Sequence, residues 1–298
     1  MDIKPAGLRI GLVQRACSAH RDENLESCVH AVREAAAGGA RLVLLEELHN
    51  SRYFCQVEDP RRFDLAEPVP GPSTEALGRV AKEMATVVVS SLFERRAAGL
   101  YHSTAVVLDA DGSIAGMYRK MHIPDDPGYH EKFYFAPGDL GFQPVDTRVG
   151  RLGVLICWDQ WFPEAARAMA LGGADLLLYP AAIGWDPADD EAERQRQLDA
   201  WITIQRGHAV ANGLTVAVCN RIGQEPDPSG QTPGIRFWGR SFVCGPQGEW
   251  LARAGEGDEI LFADVSLERS EAVRRIWPFF RDRRVDAYQA LSKRFDDS

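Results

Sequence analysis

The chain has 298 residues, 45% of them apolar, and a formal net charge of -9. It is long enough to bury a sizeable core, and its acidic balance excludes the concentrated Lys and Arg that nucleic-acid binding needs. No run reaches the roughly 18 consecutive apolar residues of a membrane span. Residues 1–9 show no signal-peptide pattern. Six scattered cysteines without a CxxC pair fit a reducing cytoplasm better than a zinc site or disulfide framework.

In chain order, Leu8–Gln14 reads as a first strand, and Asp22 or Asn24 as the cap of a helix ending before Gly38-Gly39. Residues 41–45 form a short buried-type strand that delivers Glu46-Glu47. A helix over about 73–85 leads into a strand over 86–94. Strands over 101–108 and 113–119 flank the hairpin turn Asp109-Ala110-Asp111-Gly112. Further strands are expected over 152–157, 175–179, 215–220 and 237–244, with a second turn at Pro246-Gln247-Gly248-Glu249. Helices fit over 162–171, 190–211 and 267–275. Strand runs apolar on both faces with helices between them indicate an α/β chain of helix-covered sheets, mixed because of the hairpins. Residues 1–298 read as a single domain with a C-terminal arm from about Trp277. A doubly wound fold and a two-sheet sandwich both fit the periodicity.

The most informative segment is GVLICWDQWFPEAAR. An apolar strand ends at Cys157 and must turn at Trp158-Asp159-Gln160, so the thiol can project into a cleft with backbone amides behind it. Most free cysteines are small buried hydrophobes, and Cys17, Cys28, Cys55, Cys219 and Cys244 fit that description. Cys157 differs by its strand-end position. Such a thiol needs a base or a cation. Seven histidines are candidates, and two other strand ends offer Glu46-Glu47 and Lys120. A carboxylate can take the thiol proton and an ammonium can stabilise developing negative charge. Taken singly, each is as readily a solvated surface charge.

The blocks LLEELHNSRYF, YRKMHIPDDPGYHEKFYFAPGD and GVLICWDQWFPEAARAMALGGADLLLYP resemble the Glu, Lys and Cys signatures of the nitrilase superfamily of carbon–nitrogen hydrolases. The resemblance runs from about Leu8 to Tyr288. It implies a four-layer α-β-β-α sandwich with two mixed sheets, a homo-oligomer, and no cofactor or metal. Carried over, Glu47 is the general base, Lys120 the oxyanion stabiliser and Cys157 the nucleophile. Glu131 is a second acid that positions substrate and Lys120, and the Trp158 N–H is the other oxyanion donor. Two departures stand out: Glu46 replaces the usual Pro before the catalytic Glu, and Trp185-Asp186 replaces an expected small residue and Glu.

Segments such as PAAIGWDP, GHAVANG, VCNRIGQE and FFRDRRVDAY resemble more narrowly the branch acting on N-carbamoyl amines. That implies hydrolysis of N-carbamoylputrescine to putrescine, ammonia and carbon dioxide. Asp186 is then the candidate partner of the distal ammonium, or else simply a cap of the turn before Pro187; Tyr53 and Trp161 are candidate walls. A carbamoyl amino acid such as 3-ureidopropionate would instead call on Arg206 or Arg221. Other readings are a nitrile hydrolase and a catalytically silent assembly subunit, against which alkylation of Cys157 well below pH 8 would count. A zinc hydrolase lacks an HExxH motif. Loops over 124–128 and 225–233 are expected at the pocket rim.

Overall fold

The computed structural model describes residues 7–297. The reading of residues 1–9 as free of a signal peptide therefore falls mostly outside the described residues.

Two six-stranded sheets carry the fold. The first runs Glu259–Val265, Leu8–Gln14, Leu42–Leu45, Val87–Ala97, Leu100–Leu108, Ile114–Arg119, parallel through its three inner neighbours and antiparallel towards both edges. The second runs Trp250–Arg253, Phe242–Cys244, Thr215–Asn220, Leu176–Ala181, Gly150–Val154, Val145–Thr147. Its central strands are parallel and its outer pairs antiparallel.

Strand alternation decides the layering. Leu42, Leu44, Val87 and Val89 share one core with Leu176, Leu178, Val216 and Val218 of the second sheet. Their neighbours Val43, Leu45 and Val88 join a second core with Ala31, Val32, Leu77 and Val80 of the helices Arg21–Ala37 and Pro72–Met84. Helices Pro163–Leu171 and Glu191–Asn212 cover the second sheet through Ala165, Met169, Trp201 and Ala209. The result is the four-layer helix–sheet–sheet–helix sandwich.

Three local expectations are corrected. The run over 237–244 is two strands: consecutive left-handed residues, Gly239 (φ 63°) and Arg240 (φ 57°), break it. Ile235–Trp238 joins a small third sheet with Ile222–Glu225 and Gly184–Trp185, while Phe242–Cys244 stays in the second sheet. Sheet pairing before the nucleophile stops at Val154, and Cys157 opens a 3-10 turn, Cys157–Trp161. His20, not Asp22 or Asn24, occupies the first helix's N-cap. Asn24 instead pins the preceding loop, accepting from Ser18 N at 2.7 Å.

Beyond the helix Leu267–Ile276, the expected C-terminal arm carries Val285, Leu291 and Phe295 exposed on its surface. Among the described residues no helix is long and apolar enough to cross a membrane.

Candidate active site

Glu47 follows the strand Leu42–Leu45 and Lys120 follows Ile114–Arg119, with the strand Leu100–Leu108 beside the latter tying them together. Lys120 N donates to Ser103 O at 2.9 Å, and Ser103 Oγ donates to Glu47 Oε1 at 3.4 Å. Glu47 N donates across to Ala181 O of the second sheet at 3.3 Å, the sheet that supplies Cys157. Gly138 closes over the lysine turn: its N–H reaches Lys120 O at 2.8 Å, and a Cβ there would lie 2.0 Å from Arg119 O.

The lysine lies between two carboxylates. Its Nζ donates to Glu47 Oε1 at 2.8 Å and to Glu131 Oε2 at 2.6 Å, with all three side chains buried. Glu131 opens a short helix, Glu131–Tyr134, set on an aromatic cluster that includes Phe54, Phe93 and Phe135. Tyr53 Oη donates to the other Glu131 oxygen at 2.7 Å. Tyr53 is therefore a buried support for Glu131; it is not among the residues that line the cleft, which corrects its reading as a wall. Glu47 Oε2 is buried and has no hydrogen-bond partner among the described residues. It is the oxygen left to accept a proton.

Cys157 has a left-handed backbone, φ 42°, a strained conformation for a residue with a Cβ. Asp159 holds this turn. Its Oδ2 accepts from Ile156 N at 2.9 Å and from Tyr118 Oη at 2.8 Å, and its Oδ1 accepts from His122 N at 3.1 Å and lies 2.7 Å from His122 Nδ1. One buried carboxylate thus ties the cysteine turn to the segment following Lys120, a role that the DQWF sequence alone did not disclose. Asp159→Asn should lower kcat by roughly 10²-fold, the scale of a small misplacement of reacting groups, with a smaller change in KM. Steady-state kinetics on the folded variant check this; an unchanged kcat would remove Asp159 from the positioning machinery.

Burial pushes the Cys157 thiol well above its ordinary range; Glu47 adds to this and Lys120 opposes it. The resting sulfur is a thiol, so alkylation well below pH 8 is not expected of it even in an active enzyme. Burial works against the Lys120 charge, but Glu131 and Glu47 outweigh it and hold its pKa well above that of an ordinary lysine. Burial raises the Glu131 carboxyl against the pull of Lys120. The set offers a proton acceptor, a fixed cation and a thiol within electrostatic reach of one another, which is what acyl transfer requires.

Of the adjacent acids, Glu47 faces this cluster. Glu46 leaves the opposite side of the chain, its Oε1 3.8 Å from Cys17 Sγ. Neither arginine considered for a substrate carboxylate lines the cleft. Arg221 is buried and donates to the carbonyls of Glu47, Leu48 and Ser51 and to Glu225. Arg206 donates to Gly248 O and packs over Trp250.

Cys157 and Glu131 border a cleft of about 490 Å³. Its apolar walls include Trp158, Trp161, Ile183 and Trp238, and Asp126, Asp186 and Asp189 supply carboxylates. No Lys, Arg or His lines it among the described residues. Asp186 is exposed and also caps its own turn, accepting from Ala188 N at 2.8 Å, so both of its expected roles have support. Asp126 and Asp189 were not anticipated. The 124–128 loop borders the cleft, whereas Pro226 and Pro228 border a different hollow. Among the described residues no three His, Cys, Asp or Glu side chains cluster as a metal ion would need.

Residues 9–275 match the family described as Carbon-nitrogen hydrolase. The chain belongs to the carbon–nitrogen hydrolase family. It is 44% identical over 285 residues to an N-carbamoylputrescine amidase of Arabidopsis thaliana, covering 95% of this chain and 94% of that protein. It is 39% identical to a citrullinase of Francisella tularensis, covering 97% of this chain and all of that protein. Among solved structures, a carbon–nitrogen hydrolase from Helicobacter pylori G27 superposes with a TM-score of 0.95 at 52% identity, over 97% of this chain and 100% of that one. This carbon–nitrogen hydrolase is thus an enzyme acting on amide or ureido C–N bonds, built on the nitrilase sandwich.

Proposed function

We propose that the enzyme hydrolyses N-carbamoyl amines with a distal ammonium, N-carbamoylputrescine foremost, through a covalent Cys157 intermediate. Glu47 Oε2 takes the Cys157 proton as the sulfur attacks the ureido carbonyl carbon. Lys120 and the Trp158 N–H hold the oxyanion, and Glu131 fixes Lys120. The C–N bond to the terminal nitrogen breaks, Glu47 returns its proton to the departing ammonia, and the carbamoyl group remains on sulfur. Glu47 then deprotonates a water that displaces the sulfur and passes that proton to the departing sulfur, restoring the thiol, and the released carbamate decays to carbon dioxide and the free amine. An oxyanion donor of this kind contributes roughly 3–4 kcal/mol.

The observation that carries the substrate reading is the charge of the cleft. Asp126, Glu131, Asp186 and Asp189 border it, and among the described residues no cation does. The tryptophan walls suit a methylene chain, and the acids suit an ammonium. A substrate ending in a lone carboxylate, as in 3-ureidopropionate, would meet repulsion there, and citrulline would bring a carboxylate beside its α-ammonium. The similarity to plant N-carbamoylputrescine amidases supports the same choice.

Ammonia release from N-carbamoylputrescine, 3-ureidopropionate and citrulline, measured side by side, tests this. The diamine derivative should have the highest kcat/KM. Asp186→Asn should raise its KM roughly 5-fold, about 1 kcal/mol for an exposed ion pair, and leave the acids unharmed. Preference for either acid would refute the substrate reading while leaving the site intact.

Assembly into a homo-oligomer belongs to the same proposal, supported by the exposed apolar side chains Ile276, Trp277, Val285, Leu291 and Phe295 along the C-terminal arm. A cytoplasmic location is supported by six free, buried cysteines.

A further inference from the structure

The segment VCNRIGQE carries two charged residues, Arg221 and Glu225, that the reaction scheme leaves unused. Arg221 joins the strands Thr215–Asn220 and Ile222–Glu225 and is fully buried; Glu225 ends the second of them. The two terminal nitrogens of the guanidinium bring four N–H donors, and four acceptors meet them. Nη2 donates to the carbonyls of Glu47 and Leu48, both at 2.9 Å, while Nη1 donates to Ser51 O at 3.0 Å and to Glu225 Oε1 at 2.7 Å. Ser51 N returns to Leu48 O at 3.1 Å, so three carbonyls of one tight turn converge on this side chain. Leu48 lies in that turn with φ 52°, a left-handed conformation that a leucine keeps only when its surroundings impose it.

The same guanidinium reaches Glu47 by a second route. Glu225 Oε2 accepts from Tyr53 N at 2.5 Å, and Tyr53 Oη donates to Glu131 Oε1. Glu131 Oε2 and Glu47 Oε1 then share Lys120 Nζ. Neither Arg221 nor Glu225 lines the cleft. We propose that Arg221 and Glu225 are positioning residues that fix the aim of the Glu47 carboxylate, holding its backbone directly and its Oε1 through Tyr53, Glu131 and Lys120.

Glu47 needs such a frame because its reacting oxygen carries none. Oε2 has no hydrogen-bond partner among the described residues, so nothing bonded to that oxygen sets where it points. Its direction comes from two other fixed points: Oε1 on Lys120, and the backbone that leaves the strand Leu42–Leu45. An arginine suits the task where a lysine would not. A lysine could balance Glu225, but its single nitrogen cannot span the separate acceptors that a planar fork reaches. This assignment rests on the reading of Glu47 as the base.

The test is ammonia release by Arg221→Lys, Glu225→Gln and Tyr53→Phe, on whichever carbamoyl compound the wild type turns over fastest. Arg221→Lys keeps the charge and loses the fork; its kcat should fall roughly 10²-fold while KM stays within about twofold, the pattern of a misplaced reacting group. Tyr53→Phe cuts only the longer route and should lower kcat by roughly 10-fold, the scale of one lost hydrogen bond to a charged group. Its ring keeps its packing on Tyr129 and Phe237, so this variant decides the matter if Arg221→Lys fails to fold. Adding Tyr53→Phe to Glu225→Gln should cost kcat no more than Glu225→Gln alone, since both interrupt one chain. A merely structural role would lower melting temperatures and leave kcat where it was. Wild-type kcat in folded Arg221→Lys or Tyr53→Phe, losses that fall on KM, or additive losses in the double variant would overturn the proposal. A failure of the base reading is seen separately, as turnover that survives Glu47→Gln.

Discussion

Cys157→Ala is expected to lower ureido hydrolysis by on the order of 10⁶-fold, the scale seen when a covalent hydrolase loses its nucleophile. The fold should survive. Removing one sulfur from a site that already opens onto a cleft leaves little new void, and Asp159 still holds the turn through the Ile156 amide. Burial and Glu47 both keep the resting thiol protonated, so attack requires proton removal at the moment of reaction. The buried Glu47 Oε2 is free to do that, since Oε1 alone receives Lys120 and Ser103. Circular dichroism and thermal melts of the variant, beside ammonia release, separate loss of chemistry from loss of structure. Substantial activity in folded Cys157→Ala would exclude the covalent route.

Lys120→Met is expected to cost both stability and activity. Lys120 is 0% exposed and bonded to two buried carboxylates. Removing it strands Glu47 and Glu131 against each other without a cation, a change worth about 3–5 kcal/mol for a broken buried pair. Glu131, already raised by burial, responds by taking up a proton, and the geometry that presents Glu47 is lost with the lysine. Where the variant is folded, kcat should fall by at least roughly 10²–10³-fold, the scale of one lost oxyanion donor. Denaturant unfolding with ammonia release checks both parts. A variant as stable as wild type would show that the carboxylates do not depend on the lysine.

Much of this was legible in the sequence because strand ends are where chemistry is presented. Short apolar runs ending in Glu47, Lys120 and Cys157 marked three residues, of which Glu47 and Lys120 are paired in the interior and Cys157 borders the cleft. The layering followed from strands apolar on both faces, although periodicity could not decide between a sandwich and a doubly wound sheet. The misreadings share a physical origin. Period-two alternation stops where the chain leaves the sheet, so Glu46 and Glu47 could not be told apart by pattern; their partners, Cys17 for one and Lys120 for the other, separate them. Tyr53 is an expected wall because aromatic side chains suit an ammonium, and Arg206 and Arg221 are expected contacts only for a substrate that carries a carboxylate. Their hydrogen bonds to Glu131, Gly248 and the Glu47 carbonyl bind them to the protein instead. Asp159 and Asp189 lay in plain view within DQW and PADD, but sequence spacing carries no signal that one holds the cysteine turn and the other borders the cleft.

The most direct test of the account is acid-quenched peptide mapping shortly after mixing the enzyme with N-carbamoylputrescine. An adduct on the Cys157 peptide that retains the amine portion of the substrate should form with a matching burst of ammonia. Steady ammonia release with no adduct on Cys157, or with an adduct on another cysteine, would contradict it.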